Sequence, residues 1–284
     1  MSADEARRWL EGSPWARALG VEARALAPEG ARLHLPFRPE NTNPGGVLHG
    51  GVAASLVALA AGAVARAGFG PEAGPFHVWG LEVAYLAAAR EQALDVEATR
   101  LREGKELVFV EVAVRGADGK AIAQGLAAAR ARFAAPEPAL PEAAGDDGAA
   151  DPGPMGPHVE RIPFLARLGV RIEHMSGGRS RIVLPWRDEH ADAEGGGFAE
   201  GAVLALLDTT GAMAAWAQIG PGPYKASTPA LQAQFLAPPP AEPLVAYGRC
   251  THRDGSAFWS DVEVCGARSR RVCARGTVLY RIVA

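Results

Sequence analysis

The chain repeats itself. Pro163-Phe164-Leu165-Ala166-Arg167-Leu168-Gly169-Val170 restates Pro14-Trp15-Ala16-Arg17-Ala18-Leu19-Gly20-Val21 at an offset of 149. Leu184-Pro185-Trp186-Arg187 restates Leu35-Pro36-Phe37-Arg38 at the same offset, and Gly201-Ala202-Val203 restates Gly51-Val52-Ala53 at 150. Phe235-Leu236-Ala237 answers Tyr85-Leu86-Ala87 and Val264-Cys265-Gly266 answers Val114-Arg115-Gly116, both at 150, while Gly276 answers Gly125 at 151. An offset that drifts so little over half a chain means two copies of one fold, each about 130 residues. Between them, Pro136, Pro138, Pro141, Pro152, Pro154 and Pro157 stand among few large apolar residues. Such a composition reads as a linker and not a core segment. The expected division is an N-terminal domain over 1–134, a linker over 135–160 and a C-terminal domain over 161–284.

Each copy is built around one apolar helix. In the first, Asn43-Pro44-Gly45-Gly46 supplies tight-turn chemistry. Then His49-Gly50-Gly51 opens an Ala- and Leu-rich run ending near Arg66, too long for a strand and apolar nearly all round. It reads as a buried helix over about 50–67. Its free first-turn N–H groups and dipole favour an anion, or a carbonyl oxygen that becomes one. Short helical pieces are expected at 3–11 and 13–20, and a strand pair at 21–26 and 31–36. Strands follow at 77–87, 92–102, 106–116 and 120–133, with turns at Gly104 and Asp118-Gly119. The fold class is α+β, an antiparallel sheet laid around a helix, twice.

Composition narrows the function. A net charge of −3 leaves no basic footprint, so nucleic acid is not an expected partner. Cys250, Cys265 and Cys273 form neither a disulfide framework nor a zinc pattern, and no metal is expected. The start, Met1 to Arg8, has no apolar h-region, and the run Gly50 to Ala65 is short of a membrane span. A soluble, cytoplasmic protein without a membrane span is the expectation.

His-Gly-Gly opening a buried helix, Asn43 six residues before the His, a long meander after it, and a second copy of the whole together resemble the hotdog fold. More closely, the chain is similar to acyl-CoA thioesterases of the phenylacetyl-CoA thioesterase type, here fused in tandem. The resemblance implies hydrolysis of an acyl-CoA thioester with no separate cofactor, since coenzyme A is part of the substrate. It also implies a helix carboxylate nine residues after the motif His. In the first copy that position is Ala58. In the second copy Ala199, Glu200 and Ala193 replace His49, Gly50 and Asn43, yet Asp208 stands nine residues after Ala199. One copy keeps the turn and the other the carboxylate.

A single helix cannot hold both ends of one site, because eight residues at 1.5 Å rise separate them by roughly 12 Å. The donor and the carboxylate must come from two antiparallel helices, and the family implies sites shared between paired protomers. The expected composite site therefore joins Asn43, His49 and Gly50 to Asp208. The other, with Ala193, Ala199, Glu200 and Ala58, is expected to be dead. Gly50 N–H would stabilise the oxyanion, and Asp208 would attack the carbonyl or activate water. Asn43 and His49 would hold the turn. Thr228, twenty residues after Asp208, matches a family position where a hydroxyl lies near the carboxylate, as in related tandem thioesterases of acyl-CoA thioesterase II type. Gly51 and Gln232 are candidate substrate contacts, and Phe76, Trp79 and Trp216 candidate pocket walls. Glu200 reads as a first-turn acid favoured by the helix dipole. Arg268, Arg270 and Arg271 read as a solvated face, or alternatively as partners of coenzyme A phosphates. Two other functions fit such a fold: an acyl-CoA-binding or sensing protein without catalysis, and a hydratase of enoyl-CoA type. Assembly into a homo-oligomer is a further expectation.

Overall fold

The computed structural model describes residues 2–69, 73–131, 139–145, 148–194 and 196–283. Positions 135–138 and 146–147 of the expected linker, the end of the strand expected over 120–133, part of the loop 68–75, and Gly195 lie outside the described residues.

The chain opens with α1 (Ser2–Gly12) and α2 (Pro14–Leu19). The Ser13 side chain accepts from Ala16 N–H and Pro14 fills the first helical position, so α2 starts where its orphan donors are met. Strands β1 (Glu22–Ala27) and β2 (Gly30–Leu35) pair as a hairpin. Two short strands, β3 (Thr42–Asn43) and β4 (Val47–Leu48), flank a turn in which Gly45 and Gly46 sit at φ 78° and 71°, a conformation that only glycine adopts cheaply. The long helix α3 (Gly50–Phe69) follows, then β5 (Phe76–Tyr85), β6 (Leu94–Glu103), β7 (Leu107–Gly116) and β8 (Ala121–Ala131). The second copy runs α4 (Gly156–Val159), α5 (Pro163–Leu168), β9 (Arg171–Ser176), β10 (Arg179–Leu184), α6 (Glu200–Ile219), β11 (Lys225–Phe235), β12 (Leu244–Asp254), β13 (Ala257–Gly266) and β14 (Val272–Val283).

All these long strands join one antiparallel sheet, in the order β1-β2-β6-β7-β8-β5-β11-β14-β13-β12-β10-β9. The order reads the same from either end once each strand is replaced by its counterpart. The two copies meet at the seam between β5 and β11, where Ala84 pairs with Ala230 and Leu81 with Ala233. Helices α3 and α6 lie inside this wrap and against each other, which is why neither needs a polar face: in α3 every residue from Gly51 to Ala67 is buried. Each is 20 residues long, long and apolar enough to cross a membrane by length and composition, but 89% and 78% of their apolar windows are buried in the protein.

Small residues set the helix crossing. A methyl group on Gly51 would stand 2.5 Å from the Ala205 Cα, and Ser55 Oγ lies 2.7 Å from Gly51 O and 3.0 Å from Gly201 O. The chain between the copies, read from sequence as a linker outside any core, instead docks on the outer face of the second half-sheet. Ala143 is buried in a small apolar cluster with Val245, Cys265 and Val272. Arg270 donates to Ala143 O at 3.1 Å, Gly145 O at 2.9 Å and the Tyr247 hydroxyl at 2.6 Å, and Arg271 donates to Leu140 O at 3.1 Å. Arg268 and the neighbouring amides hold Glu242. Arg270, half-buried, is a structural tie, whereas Arg268 and Arg271 make their bonds from the exposed face that the sequence suggests.

Candidate active site between the two helices

The first turn of α3 and the middle of α6 come together. A methyl group on Gly50 would stand 2.7 Å from Asp208 Oδ2, so the carboxylate packs directly on the glycine backbone. Gly50 is the first helical residue, and its N–H has no intrahelical acceptor. The next amide, Gly51 N–H, donates to His49 Nδ1 at 3.0 Å. His49 thus caps the helix through its ring. A ring nitrogen that accepts carries no proton, and burial against the Phe164 ring, centroids 4.7 Å apart, pushes the His49 pKa down to about 3. The 3.9 Å between His49 Nδ1 and Asp208 Oδ2 is therefore a contact with a neutral imidazole and not an ion pair.

Asp208 is 4% exposed. Desolvation pushes its carboxyl pKa up to about 6, against the downward pull of the Thr228 hydroxyl and the Gly51 N–H. Thr228 Oγ1 donates to Asp208 Oδ1 at 3.0 Å. Strand alternation alone would leave that hydroxyl outside. Pro229 lacks an N–H, the ladder to β14 slips between Ser227 and Ala230, and the irregularity brings Thr228 to the helix side. Gln232 follows the ordinary alternation: Leu231, Ala233 and Phe235 are buried while Gln232 is exposed on the outer face, paired with Glu82 and Thr277. It is no substrate contact of this site, a correction that follows from the register. Gly51 is also corrected, since its amide already serves His49 and Asp208 and its Cα packs on Ala205.

Asn43 lies in β3, half-buried, with its backbone paired to Val47. The asparagine that anchors the His49 turn is Asn41. Its buried side chain donates to Leu19 O at 2.8 Å, and its carbonyl accepts His49 N–H at 3.0 Å. Of the candidate pocket walls, Trp79 is 47% exposed on the outer face under Arg130, and Phe76 lines a different cavity. Trp216, two turns beyond Asp208, donates to the Tyr280 hydroxyl at 3.2 Å. Burial and the Asp208 charge raise Tyr280 to about 12. Tyr85, on β5, donates its hydroxyl to Gly50 O at 3.1 Å, and burial with the Asp208 charge lifts its pKa well above the ordinary value. Sequence reasoning assigned no role to Asn41, Tyr85 or Tyr280. A signal existed for Tyr85, whose counterpart in the aligned repeat is Phe235, the same ring without the hydroxyl.

The pseudo-equivalent place differs throughout. Ala58 faces it from α3, and Glu200 Oε1 accepts from Val78 N–H at 2.9 Å, Val78 being the counterpart of Thr228. Burial pushes the Glu200 pKa up to about 7, with Asp192 adding to it and the Val78 N–H and Arg66 opposing. Glu200 itself, with Phe76, Phe198, Pro239, Asp192 and Glu194, lines a cavity of about 490 Å³. Glu200 is thus more than a first-turn acid: its side chain reaches across to Val78 N–H and forms part of the cavity wall. Among the described residues no group of three or more His, Cys, Asp or Glu is placed to hold a metal.

Two hotdog domains back to back, with a capped helix turn facing a carboxylate across their interface, define the class. Residues 38–138 match the family model described as acyl-CoA thioesterase N-terminal domain, and residues 196–273 match that of the thioesterase superfamily. The chain belongs to the thioesterase superfamily, with two of its domains in tandem, and is a thioester hydrolase. No curated protein sequence matches it. Solved structures share the fold. A tesB protein of Mycobacterium avium subspecies paratuberculosis has a TM-score of 0.67 at 14% identity, covering 100% of both chains. An acyl-CoA thioesterase II from Mycobacterium marinum has 0.65 at 13% identity, covering 100% of this chain and 97% of that one. A hot dog fold protein of unknown function from Alicyclobacillus acidocaldarius has 0.64 at 19% identity, covering 89% and 93%.

Proposed function

We propose that the chain hydrolyses an acyl-CoA thioester to a free acid and coenzyme A at one composite site, made by the first turn of α3 and Asp208 of α6. The observation that carries this reading is the packing of the Asp208 carboxylate on Gly50, with Thr228 holding its other oxygen.

Asp208 acts as a general base. Its pKa of about 6 leaves it ionised at neutral pH yet basic enough to take a proton, which suits proton transfer. His49 is excluded from that role because Nδ1 is occupied and the ring stays neutral. Water attacks the carbonyl carbon and loses a proton to Asp208. The tetrahedral oxyanion is met by Gly50 N–H at the positive end of α3, a donor whose loss typically costs about 3–4 kcal/mol of barrier. The C–S bond then breaks, and the proton on Asp208 passes to the departing thiolate. The acid and coenzyme A leave. With Glu200 seated on Val78 and Ala58 opposite, the second site performs no such step.

The test is release of coenzyme A thiol from a panel of acyl- and aryl-CoA thioesters, with Asp208→Asn beside the parent chain. Release by the parent and loss of at least a thousandfold in the variant is the expected result. A variant that keeps its rate removes Asp208 from the mechanism.

A further inference from the structure

The hydroxyl of Tyr85 reaches from the seam strand β5 to the carbonyl of Gly50, the residue whose N–H the proposed mechanism aims at the oxyanion. Gly50 has no side chain to anchor it, and two further glycines, Gly45 and Gly46, stand in the turn before it. A glycine-rich turn is free to take several orientations. Three bonds restrict this one: His49 Nδ1 to Gly51 N–H, Asn41 O to His49 N–H, and the Tyr85 hydroxyl to Gly50 O. The last acts on the carbonyl side of the peptide between Gly50 and Gly51 from outside the turn, as Asp208 does on its Gly51 N–H side.

The repeat supplies an internal comparison. The counterpart of Tyr85 is Phe235, fully buried in the same kind of position on β11. The copy with the His-Gly-Gly turn carries the hydroxyl. The copy whose turn has become Ala199-Glu200-Gly201 keeps the ring and lacks it. Packing explains a ring in both places and does not explain the oxygen in one.

We propose that Tyr85 is a positioning residue for hydrolysis: its hydroxyl holds the Gly50–Gly51 peptide by the Gly50 carbonyl and so, across the Gly50 Cα, restricts the backbone angles that set the direction of the Gly50 N–H toward the oxyanion. This rests on the composite-site reading above. The hydroxyl is not the acid that protonates the leaving group. A phenol held well above its ordinary value by burial and the Asp208 charge is a weaker acid than a thiol of pKa about 8.5, so the transfer would run uphill. It works as a fixed hydrogen-bond donor.

Tyr85→Phe removes one oxygen and leaves the ring that its counterpart already tolerates. The expected result is a fall in kcat of roughly tenfold to a hundredfold, the scale of a misplaced donor, with KM within about twofold. The affinity for an alkyl-CoA thioether, which has no carbonyl to polarise, stays the same. Phe235→Leu, which also touches a seam ring, loses stability with kcat per folded molecule unchanged. Asp208→Asn runs alongside. If it is inactive while Tyr85→Phe keeps full kcat, the role of Tyr85 is overturned and the site stands. If Asp208→Asn keeps its rate, the site reading itself fails. A Tyr85→Phe chain that loses thioether affinity in proportion to kcat shows a packing role and overturns the proposal as well.

Discussion

Asp208 ionises at a higher pH in the fold than in the unfolded chain, at about 6 against the ordinary 3.8. A carboxyl raised in this way makes the fold less stable as pH climbs from below 4 through 6, and the penalty stays constant above. Two units correspond to about 3 kcal/mol. Asp208→Asn is therefore expected to be more stable than the parent in urea at pH 8, by about 2–3 kcal/mol, and equal to it below pH 4; no difference at pH 8 would mean the carboxylate is solvated. With Asp208 as the proposed general base, kcat should rise with pH through an apparent pKa near 6 and then level off, with no second limb from His49. Gly50→Ala tests the packing. Its methyl group, 2.7 Å from Asp208 Oδ2, displaces the carboxylate, and kcat is expected to drop by about a hundredfold or more while the chain still folds. A variant turning over at the parent rate would show that the two groups do not work together.

At the scale of elements, what could be read beforehand was whatever has a period. The helix expected over 50–67 is α3, Gly50–Phe69, and the four strands after it lie within two or three residues of the expected ranges, because long apolar runs and turn dipeptides mark them. The duplicate doubled each signal. What escaped was set by single departures from period. The distance from Asp208 marks Thr228, but its inward aim comes from the slip at Pro229, and only the register tells which side of the sheet Gln232 takes. Asn43 was chosen by spacing where the buried anchor is Asn41, two residues away, since a backbone carbonyl leaves no mark in sequence. The prolines around the docked segment 139–145 hide it, and its grip depends on Arg270 and Arg271, which read as surface charge. Arg270→Ala should destabilise the chain by about 1–3 kcal/mol and speed proteolytic cutting within 139–145, with turnover unchanged. Equal cutting rates would mean the segment holds by its other contacts.

The whole molecule is a pair that has stopped being symmetric. One interface end holds His49, Gly50, Asp208, Thr228 and Tyr85; the other holds Ala199, Glu200, Ala58, Val78 and Phe235. Calorimetric titration with an alkyl-CoA thioether should find one site per chain, and two equal sites would contradict the assignment of a single composite site. Glu200→Gln should leave turnover unchanged and improve stability above pH 7, where the parent carries a charge that burial disfavours.

The seam between β5 and β11 also has a consequence for how such a chain can change. In a dimer of identical subunits every substitution appears twice, so neither interface end can drift without the other. Joining the copies in one chain removes that constraint. Each gene-encoded position then belongs to one end only. The half that supplies the turn is free to lose its carboxylate, and the half that supplies the carboxylate is free to lose its turn. On the proposed reading, the fusion leaves one catalytic end and one expanse of protein, some 490 Å³ of it hollow, on which substitutions no longer meet the demands of hydrolysis.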